Sequence, residues 1–366
     1  MKILVTGANG FVGKNLCVAL REQNHEVIQV SRDTSEEDIV SGLEKADFIF
    51  HLAGVNRPQN DDEFIEGNVG FTQKLISLVE KTQRVVPLVY TSSIQAENET
   101  PYGLSKKKAE QLILDYGIKT GSTVYVYRLP NIFGKWCNPY YNSAVATFCH
   151  NIANGKDITI NDPAAVINLV YIDDLITAFM SLLESDEPGG VKDVDQVYTS
   201  TVGKVAEIIQ SFEDSRQSMI IPRVGTSLTR ALYATYVSYL PTNKFSYKVA
   251  KHEDERGLFV EMLKTIDSGQ FSFFTAHPGI TRGEHYHHTK TEKFLVIKGT
   301  ARYGFRHIIT NETFEIDATG DEALIVETIP GWTHNITNIG EEEMIVMLWA
   351  NEIFDRDKPD TIAQKV

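Results

Sequence analysis

A glycine-rich turn at the start of the chain constrains the fold more than any other feature. The apolar run Lys2–Thr6 leads directly into Gly7-Ala8-Asn9-Gly10-Phe11-Val12-Gly13, and an amphipathic helical pattern covers Phe11–Arg21. Such glycines let the backbone approach a pyrophosphate, and a helix N-terminus offers free N–H groups and a positive dipole end. The pattern favours dinucleotide binding over a structural turn, with these contacts: Gly7, Asn9, Gly10, Phe11, Val12 and Gly13.

The chain up to about residue 243 alternates short apolar runs with amphipathic helical stretches. The candidate strands are Lys2–Thr6, Glu26–Ser31, Phe48–Ala53, Pro87–Thr91, Thr123–Arg128 and Val166–Tyr171, and further candidate helices are Asn68–Lys81 and Leu104–Asp115. Unbroken runs rich in Val and Ile are typical of strands buried on both faces. This part therefore predicts an α/β, Rossmann-type, doubly wound parallel sheet.

The sequence changes character near Pro241-Thr242-Asn243. Beyond this point, short strand-like runs alternate with turns that contain Gly or Pro: Gly257–Lys264, Phe271–Ala276, Glu292–Lys298, Ala301–His307, Ala323–Ile329 and Met344–Trp349. That rhythm predicts an antiparallel sandwich or barrel. We expect two domains, residues 1–243 and 244–366.

Charge and cysteine content narrow the function classes. With 35 Lys+Arg against 49 Asp+Glu, the formal net charge is −14, which argues against nucleic acid or an anionic membrane surface as a partner. Cys17, Cys137 and Cys149 lack metal-type or disulfide-type spacing. No signal-peptide pattern begins the sequence, and no run approaches the roughly 18 apolar residues that span a bilayer. We expect a cytoplasmic protein.

The spacing of the first turn is TGxxGxxG, which resembles extended short-chain dehydrogenases/reductases that act on nucleotide sugars. Three further segments match motifs of that family in the expected order: His51-Leu52-Ala53-Gly54, Thr91-Ser92-Ser93 and Tyr102-Gly103-Leu104-Ser105-Lys106. The resemblance implies a nicotinamide cofactor, with Leu52, Ala53, Gly54, Tyr102 and Lys106 among its contacts.

The chemistry of carbonyl reduction suits these residues. Tyr102 and Lys106 are four apart on a predicted helix and so share a face. A nearby ammonium is expected to lower the pKa of the Tyr102 phenol, which then gives a proton to a carbonyl oxygen as hydride arrives. Ser93 is expected to hydrogen-bond the same oxygen. Ser92 is the alternative, because the match can slip by one residue.

The end of the second strand bears on the choice of cofactor. It reads Val30-Ser31-Arg32, with no acidic residue to bind a ribose 2′-hydroxyl, although Asp33 follows. A hydroxyl followed by the Arg32 guanidinium suits a 2′-phosphate. The sequence therefore favours NADPH over NADH.

The segment Arg128-Leu129-Pro130-Asn131-Ile132-Phe133-Gly134 resembles the RxxNxxG segment of the same family, which lies beside the sugar nucleotide. Asn131 is a candidate substrate contact, and Arg128 either reaches the substrate or anchors the turn. Relatives that dehydrate sugars carry an Asp-Glu pair after the catalytic Ser or Thr. Here Ser93 is followed by Ile94-Gln95-Ala96, which favours simple carbonyl reduction or carbon-4 epimerisation.

A histidine-rich segment lies in the second domain. His285 and His287 point to one face of a strand, because side chains alternate with period two. With Glu292 and His334, they match the two cupin motifs, HxH…Glu and GxxH, although Pro330 and Gly331 are adjacent in the second one. We expect an all-β cupin barrel that binds a metal through His285, His287, Glu292 and His334. Several divalent metals suit such ligands, and zinc is the choice here.

The role of His285 has an alternative. Residues 254–261 resemble the D-x-RG-x-F-x-E opening of cupin-type deoxysugar epimerases. In those enzymes the His after an RG pair, here Arg282-Gly283-Glu284-His285, acts as a general base. Enolate stabilisation would then come from a metal or from a cation such as Lys293. The ligand role is favoured over the base role.

The two halves together resemble bifunctional enzymes of capsular polysaccharide biosynthesis, in which an extended reductase is joined to a cupin epimerase. The resemblance implies that the cupin domain inverts carbon 3 of a UDP-2-acetamido-2,6-dideoxy-4-ketohexose. The reductase then converts the 4-ketone with NADPH to UDP-2-acetamido-2,6-dideoxy-L-talose, a precursor of UDP-N-acetyl-L-fucosamine. It also implies a homo-oligomer, such as a dimer. Alternatives are a reductase with a structural, dimerising cupin, and a non-catalytic cofactor sensor.

Overall fold

The computed structural model describes residues 1–141, 143–357 and 359–366. The chain forms two compact units, Met1–Ile209 with Arg230–Leu240, and Gln210–Thr229 with Pro241–Val366. Residues 210–229, which the sequence groups with the first domain, belong to the second unit. Strand pairing contributes to this assignment, because Ile220–Ile221 pairs in parallel with Lys264 and Thr265 of the second unit. Among the described helices, none has the length and apolar character that crossing a membrane requires.

The first unit is built on a six-stranded parallel sheet with the order β2-β1-β3-β4-β5-β8. Its strands are β1 (Lys2–Thr6), β2 (Glu26–Val30), β3 (Phe48–His51), β4 (Leu88–Ser93), β5 (Val124–Leu129) and β8 (Gly190–Lys192). The strand order reverses beside β1, so the carboxyl ends of β1 and β3 border a crevice of the kind that binds dinucleotides. The predicted Rossmann-type sheet is confirmed.

Over the residues that the structure describes, seven α-helices lie between these strands in the chain: α1 (Phe11–Glu22), α2 (Glu36–Leu43), α3 (Asp62–Phe64), α4 (Phe71–Lys81), α5 (Pro101–Thr120), α6 (Ala144–Ala153) and α7 (Ile172–Ser181). Two more α-helices, α8 (Val202–Ser218) and α9 (Ser227–Val237), follow β8. A π-helical segment, Ile65–Gly70, joins α3 to α4. Fully buried side chains of the sheet and of α4 and α5, such as Ile49, Leu75 and Ile113, form the core.

One predicted strand of the parallel sheet lies elsewhere. Strand β7 (Val166–Tyr171) has the predicted bounds, but it belongs to a separate three-stranded sheet with β6 (Asn131–Phe133) and β9 (Tyr198–Thr201). It pairs in parallel with β6 and antiparallel with β9. An apolar run predicts a buried strand but not its neighbours, because pairing is a long-range property.

The second unit contains two largely antiparallel sheets, as predicted for an all-β domain. One has the order β10-β12-β13-β20-β15-β18, with β11 beside β12, and the other β17-β16-β19-β14-β21. The strands are β10 (Ile220–Ile221), β11 (His252–Asp254), β12 (Gly257–Thr265), β13 (Gly269–Ala276), β14 (Thr281–Tyr286), β15 (Glu292–Lys298), β16 (Thr300–His307), β17 (Thr313–Thr319), β18 (Ile325–Glu327), β19 (Trp332–Asn338), β20 (Met344–Ala350) and β21 (Ile362–Ala363). Buried residues from both sheets, including Phe274, Phe294 and Ile336, form one core.

Candidate functional site

The glycine turn has the close contacts that a cofactor cradle requires. Gly7 has a φ of +67°, which L side chains rarely adopt, and its N–H donates to the Val30 carbonyl at 3.0 Å. A methyl group at Gly13 would lie 2.2 Å from the Gly7 carbonyl oxygen. Helix α1 starts after Gly10, whose lack of a side chain leaves the first N–H groups uncapped. These open donors fit a pyrophosphate at the helix N-terminus.

A cavity of about 560 Å³ opens beside this turn. Its lining includes eleven of the predicted site residues, namely Gly7, Gly10, Phe11, Val12, Gly13, Leu52, Gly54, Ser93, Tyr102, Lys106 and Asn131. Of the residues predicted for this first site, Asn9, Arg32, Ala53 and Arg128 lie outside the lining. Arg32 is exposed beyond the end of β2. The structure thus brings the turn and the proposed catalytic residues to one cavity.

The three proposed catalytic residues come from β4 and α5. Lys106 is buried one helical turn after Tyr102, and its Nζ donates to the Thr91 carbonyl at 3.0 Å and lies 5.2 Å from the centre of the Tyr90 ring. Ser93 ends β4 and accepts from the Gln95 N–H at 3.2 Å. The wall of the cavity therefore carries a phenol, an ammonium and a hydroxyl.

The predicted lowering of the Tyr102 pKa is wrong for this structure. Burial raises the pKa of the phenol above its usual value, and the Ser93 hydroxyl opposes that rise only in part. Burial also lowers the pKa of Lys106 to about 8, against a smaller opposing effect of Glu110. Desolvation favours the neutral form of each group and outweighs their neighbours here. Tyr102 is therefore a protonated phenol at neutral pH, the form that can donate a proton.

The side chain of Glu110 distinguishes Ser93 from Ser92. The Ser92 hydroxyl donates to Glu110 Oε1 at 2.5 Å, so it is already engaged within the fold. Arg128 Nη2 also donates to Glu110, at 2.9 Å, and its Nη1 donates to Glu97 at 3.0 Å. These contacts favour Ser93 as the hydroxyl available to a ligand and favour the anchoring role for Arg128.

Sequence reasoning missed two asparagines of this site. The Tyr102 hydroxyl donates to Asn56 Oδ1 at 3.0 Å, and Asn56 lines the cavity. Buried Asn68 accepts from the Val55 N–H at 2.8 Å and donates to the Ser105 hydroxyl at 2.9 Å. Asn68 thereby holds the loop that presents Asn56. Asn56 lies in the loop after the His51 motif, where no periodicity singles it out, and Asn68 lies in the π-helical segment that precedes α4.

His51, from the motif at the end of β3, has a structural role in this arrangement. Its ring is fully buried and bridges the Thr6 and Thr72 hydroxyls at 2.8 Å each. Burial, with a smaller effect of the Lys106 charge, lowers the pKa of His51 to about 3. A neutral imidazole thus ties β1 to α4 just below the glycine turn.

The second unit brings its four predicted ligands together. One ligand atom from each of His285, His287, Glu292 and His334 lies within 4.8 Å of the others. Strands β14, β15 and β19 supply three of them, and His287 lies just beyond β14. The Nε2 atoms of His287 and His334 are each 3.3 Å from Glu292 Oε2. His288, by contrast, is exposed.

The electrostatics of this cluster fit a divalent cation. Burial acts to raise the pKa of Glu292, but the polar groups around the carboxylate, the Lys290 ammonium among them, hold it well below its usual value. Burial, with the neighbouring His334, lowers the pKa of His285 to about 4. Within the described ranges, neither ring nitrogen of buried His334 has a hydrogen-bond partner. Imidazoles around one carboxylate are a donor set for Zn²⁺ and similar metals.

Two further residues border the cluster and were not singled out from the sequence. Lys290 is buried, with Nζ 3.1 Å from Glu292 Oε1, and Asp360 contacts the loop that follows His287. Lys293, the cation considered from the sequence, instead pairs with Glu327 on the surface. The spacing to Glu292 could have indicated Lys290, since residues two apart share a face in extended chain.

The chain matches the models of two protein families. The model of the "NAD dependent epimerase/dehydratase family" matches residues 3–195, more than half of the chain. The chain belongs to the NAD-dependent epimerase/dehydratase family. A second model, the "Polysaccharide biosynthesis C-terminal domain", matches residues 252–362.

Relatives that cover the whole chain share both units. The UDP-2-acetamido-2,6-beta-L-arabino-hexul-4-ose reductase of Pseudomonas aeruginosa is 56% identical over 100% of this chain and 99% of its own. The crystal structure of the capsular polysaccharide assembling protein CapF from Staphylococcus aureus is 43% identical, with a TM-score of 0.93 and full coverage of both chains. The resemblance to capsular polysaccharide proteins in which a reductase domain is joined to a second domain is confirmed.

More distant structures match the first unit. The UDP-glucose 4-epimerase of Thermotoga maritima has a TM-score of 0.56 and 20% identity over 65% of this chain and 98% of its own. At that identity the likeness shows the fold alone.

Proposed function

We propose that the first unit reduces the carbon-4 ketone of a UDP-2-acetamido-2,6-dideoxy-4-ketohexose, forming UDP-2-acetamido-2,6-dideoxy-L-talose. The main support is the cavity that joins the glycine turn to Ser93, Tyr102 and Lys106. The reductase from Pseudomonas aeruginosa, 56% identical over the whole chain, supports this choice of substrate.

Each residue of the first site has a separate role in the proposed reduction of the ketone. A nicotinamide held at the glycine turn would supply the hydride that adds to carbon 4. Tyr102 transfers its phenolic proton to the carbonyl oxygen, and Ser93 donates a hydrogen bond to that oxygen. The Lys106 ammonium stabilises the phenolate that remains. Asn131, on the cavity wall, is in place to contact the sugar.

NADPH is the proposed cofactor rather than NADH. Arg32 is exposed just past the end of β2, and the N–H groups of Gly7 and Ala8 contact the Val30 carbonyl at that strand end. A guanidinium at this point suits a ribose 2′-phosphate. Arg32→Ala should therefore weaken the binding of NADPH and leave that of NADH nearly unchanged.

The second unit is proposed to epimerise carbon 3 of the same ketosugar, with a zinc ion on His285, His287, Glu292 and His334. When bound, the metal supplies Lewis-acid stabilisation of the enolate oxygen. The 4-ketone makes the carbon-3 proton acidic, and reduction then removes that acidity. Epimerisation therefore has to precede reduction. His285 is assigned as a ligand, with the role of general base as its alternative.

The reductase is tested with purified protein, NADPH and the UDP-4-ketosugar. Wild-type protein should consume NADPH, and Tyr102→Phe should slow the reaction by about 100-fold or more. Tyr116→Phe is the matched control on the same helix, because within the described residues its buried hydroxyl has no hydrogen-bond partner. Absence of NADPH consumption by the wild type refutes the reductase, and full biological function of Tyr102→Phe would favour a sensor.

The epimerase is tested without NADPH in deuterated water. Wild-type protein should incorporate deuterium at carbon 3, and His334→Ala should abolish this exchange. His277→Ala is the control, because His277 is exposed. If the wild type shows no exchange while reduction proceeds, the second unit is structural. Self-association, for example as a dimer, and a cytoplasmic location stay predictions.

A further inference from the structure

Asp360, far from the cluster in sequence, makes five hydrogen bonds to the segment that carries His287. Its carboxylate accepts from the N–H groups of His288 at 2.9 Å, Thr289 at 2.7 Å and Lys290 at 2.9 Å. It also accepts from the Thr289 hydroxyl at 3.0 Å. The fifth bond joins its main-chain carbonyl to the His287 ring. We propose that Asp360 is a positioning residue for the metal cluster, an inference that rests on the proposed metal binding.

The first route from Asp360 to the cluster is through the His287 ring. A carbonyl oxygen only accepts, so the bond places the ring proton on Nδ1. The other nitrogen, Nε2, then presents its lone pair toward the cluster, where it lies 3.3 Å from Glu292 Oε2. A partner on the outer nitrogen sets the orientation and tautomer of a ligating histidine.

The second route is through the loop 288–290. Three successive N–H groups converge on one carboxylate, which holds the backbone of Lys290 in place. The Lys290 ammonium in turn lies 3.1 Å from Glu292 Oε1. The other oxygen, Oε2, is the one that faces His287 and His334. Asp360 thereby influences the orientation of two proposed ligands.

The position of Asp360 is set by elements outside that loop. Strand β21 pairs with β14, placing Ala363 opposite His285 and Ile362 opposite Tyr286. The Gln364 N–H donates to the Glu284 carbonyl at 2.9 Å. These bonds hold the segment 360–366 along β14, the strand that carries His285. The Asp360 carboxylate is thereby placed beside the loop 288–290, which follows β14.

An ionised carboxylate is the group that suits this place. It has about four lone-pair sites and no donor, so it can accept all four bonds. Asparagine at residue 360 would keep the size but turn an NH₂ group toward N–H donors. Asp360→Asn should therefore loosen the loop without creating a cavity.

The test uses full-length protein loaded with zinc, and the measurement is its affinity in competition with a chromophoric chelator. Asp360→Asn should weaken zinc binding by about 10- to 100-fold. Asp360→Glu, which keeps the carboxylate, should recover part of this loss. Asp317→Asn is the matched control, since it removes the same charge from an exposed pair with Arg302. It should bind zinc as the wild type does.

A spectroscopic measurement separates positioning from a general loss of stability. Protein loaded with Co²⁺ reports ligand geometry, so Asp360→Asn should change the visible spectrum while folded and Asp317→Asn should not. A milder pair covers the case in which Asp360→Asn fails to fold. Thr289→Val removes one of the four bonds and should lower zinc affinity a few-fold, whereas Thr289→Ser retains it.

The outcomes separate this inference from the metal site itself. Wild-type affinity and an unchanged cobalt spectrum in Asp360→Asn, or in Thr289→Val where the first variant does not fold, overturn the positioning role and leave the metal site intact. Wild-type protein that takes up neither zinc nor cobalt overturns both proposals.

Discussion

Replacing Gly13 by alanine tests the cofactor cradle at its tightest contact. The added methyl group would lie 2.2 Å from the Gly7 carbonyl oxygen and 2.8 Å from Ala8 Cα. Both neighbours are backbone atoms, so the start of α1 must move away from the turn by about 1 Å to restore van der Waals contact. Overpacking of this kind costs about 1–3 kcal/mol. Because the moved atoms are those that meet the pyrophosphate, the loss should appear in cofactor affinity.

That free energy corresponds to a dissociation constant for NADPH raised by about 5- to 150-fold. Isothermal titration calorimetry measures it directly. Gly70→Ala is the matched control, because Gly70 is also helical and, among the described residues, its methyl group would meet only the Ile65 carbonyl, at 3.8 Å. It should bind NADPH as the wild type does. If Gly13→Ala binds NADPH within about two-fold of the wild type, the packing argument is refuted.

Three further outcomes are expected. Reductase turnover should fall as pH rises through about 8, because Lys106 then loses the charge that stabilises the phenolate. A pH–rate profile that is flat through that range would contradict this. Glu110→Ala should lower the free energy of unfolding of the first unit by about 2 kcal/mol, since Arg128 loses its buried partner. An unchanged melting temperature in calorimetry would argue against this. Asn68→Ala leaves the Val55 N–H without its side-chain partner and should lower the free energy of unfolding by about 1–3 kcal/mol, seen as a lower midpoint of urea unfolding. A midpoint equal to that of the wild type would exclude a stabilising role for Asn68.

Much of the fold could be predicted because its signals are local. The strand, turn and helix around Gly7 occupy consecutive residues, and β1 and β7 have the predicted bounds. The sheet to which β7 belongs was not predictable, since an apolar run indicates a buried strand but not the strands with which it pairs. The helical pattern Asn68–Lys81 likewise did not reveal that its first turn is π-helical.

By itself, the sequence determined which residue types could act. Resemblance to family motifs identified Tyr102 with Lys106, and His285 with His287. The period of a helix or strand explains why the members of each pair can share a face. The sequence therefore predicted two chemical sites and the kind of reaction that each one suits.

Only the tertiary structure decided how those groups are held and charged. Glu110 engages Ser92 and leaves Ser93 toward the cavity, burial keeps Tyr102 protonated, and Asp360 reaches a loop about seventy positions earlier in the chain. Desolvation and contacts between distant segments arise only when the chain is packed, so no local pattern in the sequence encodes them.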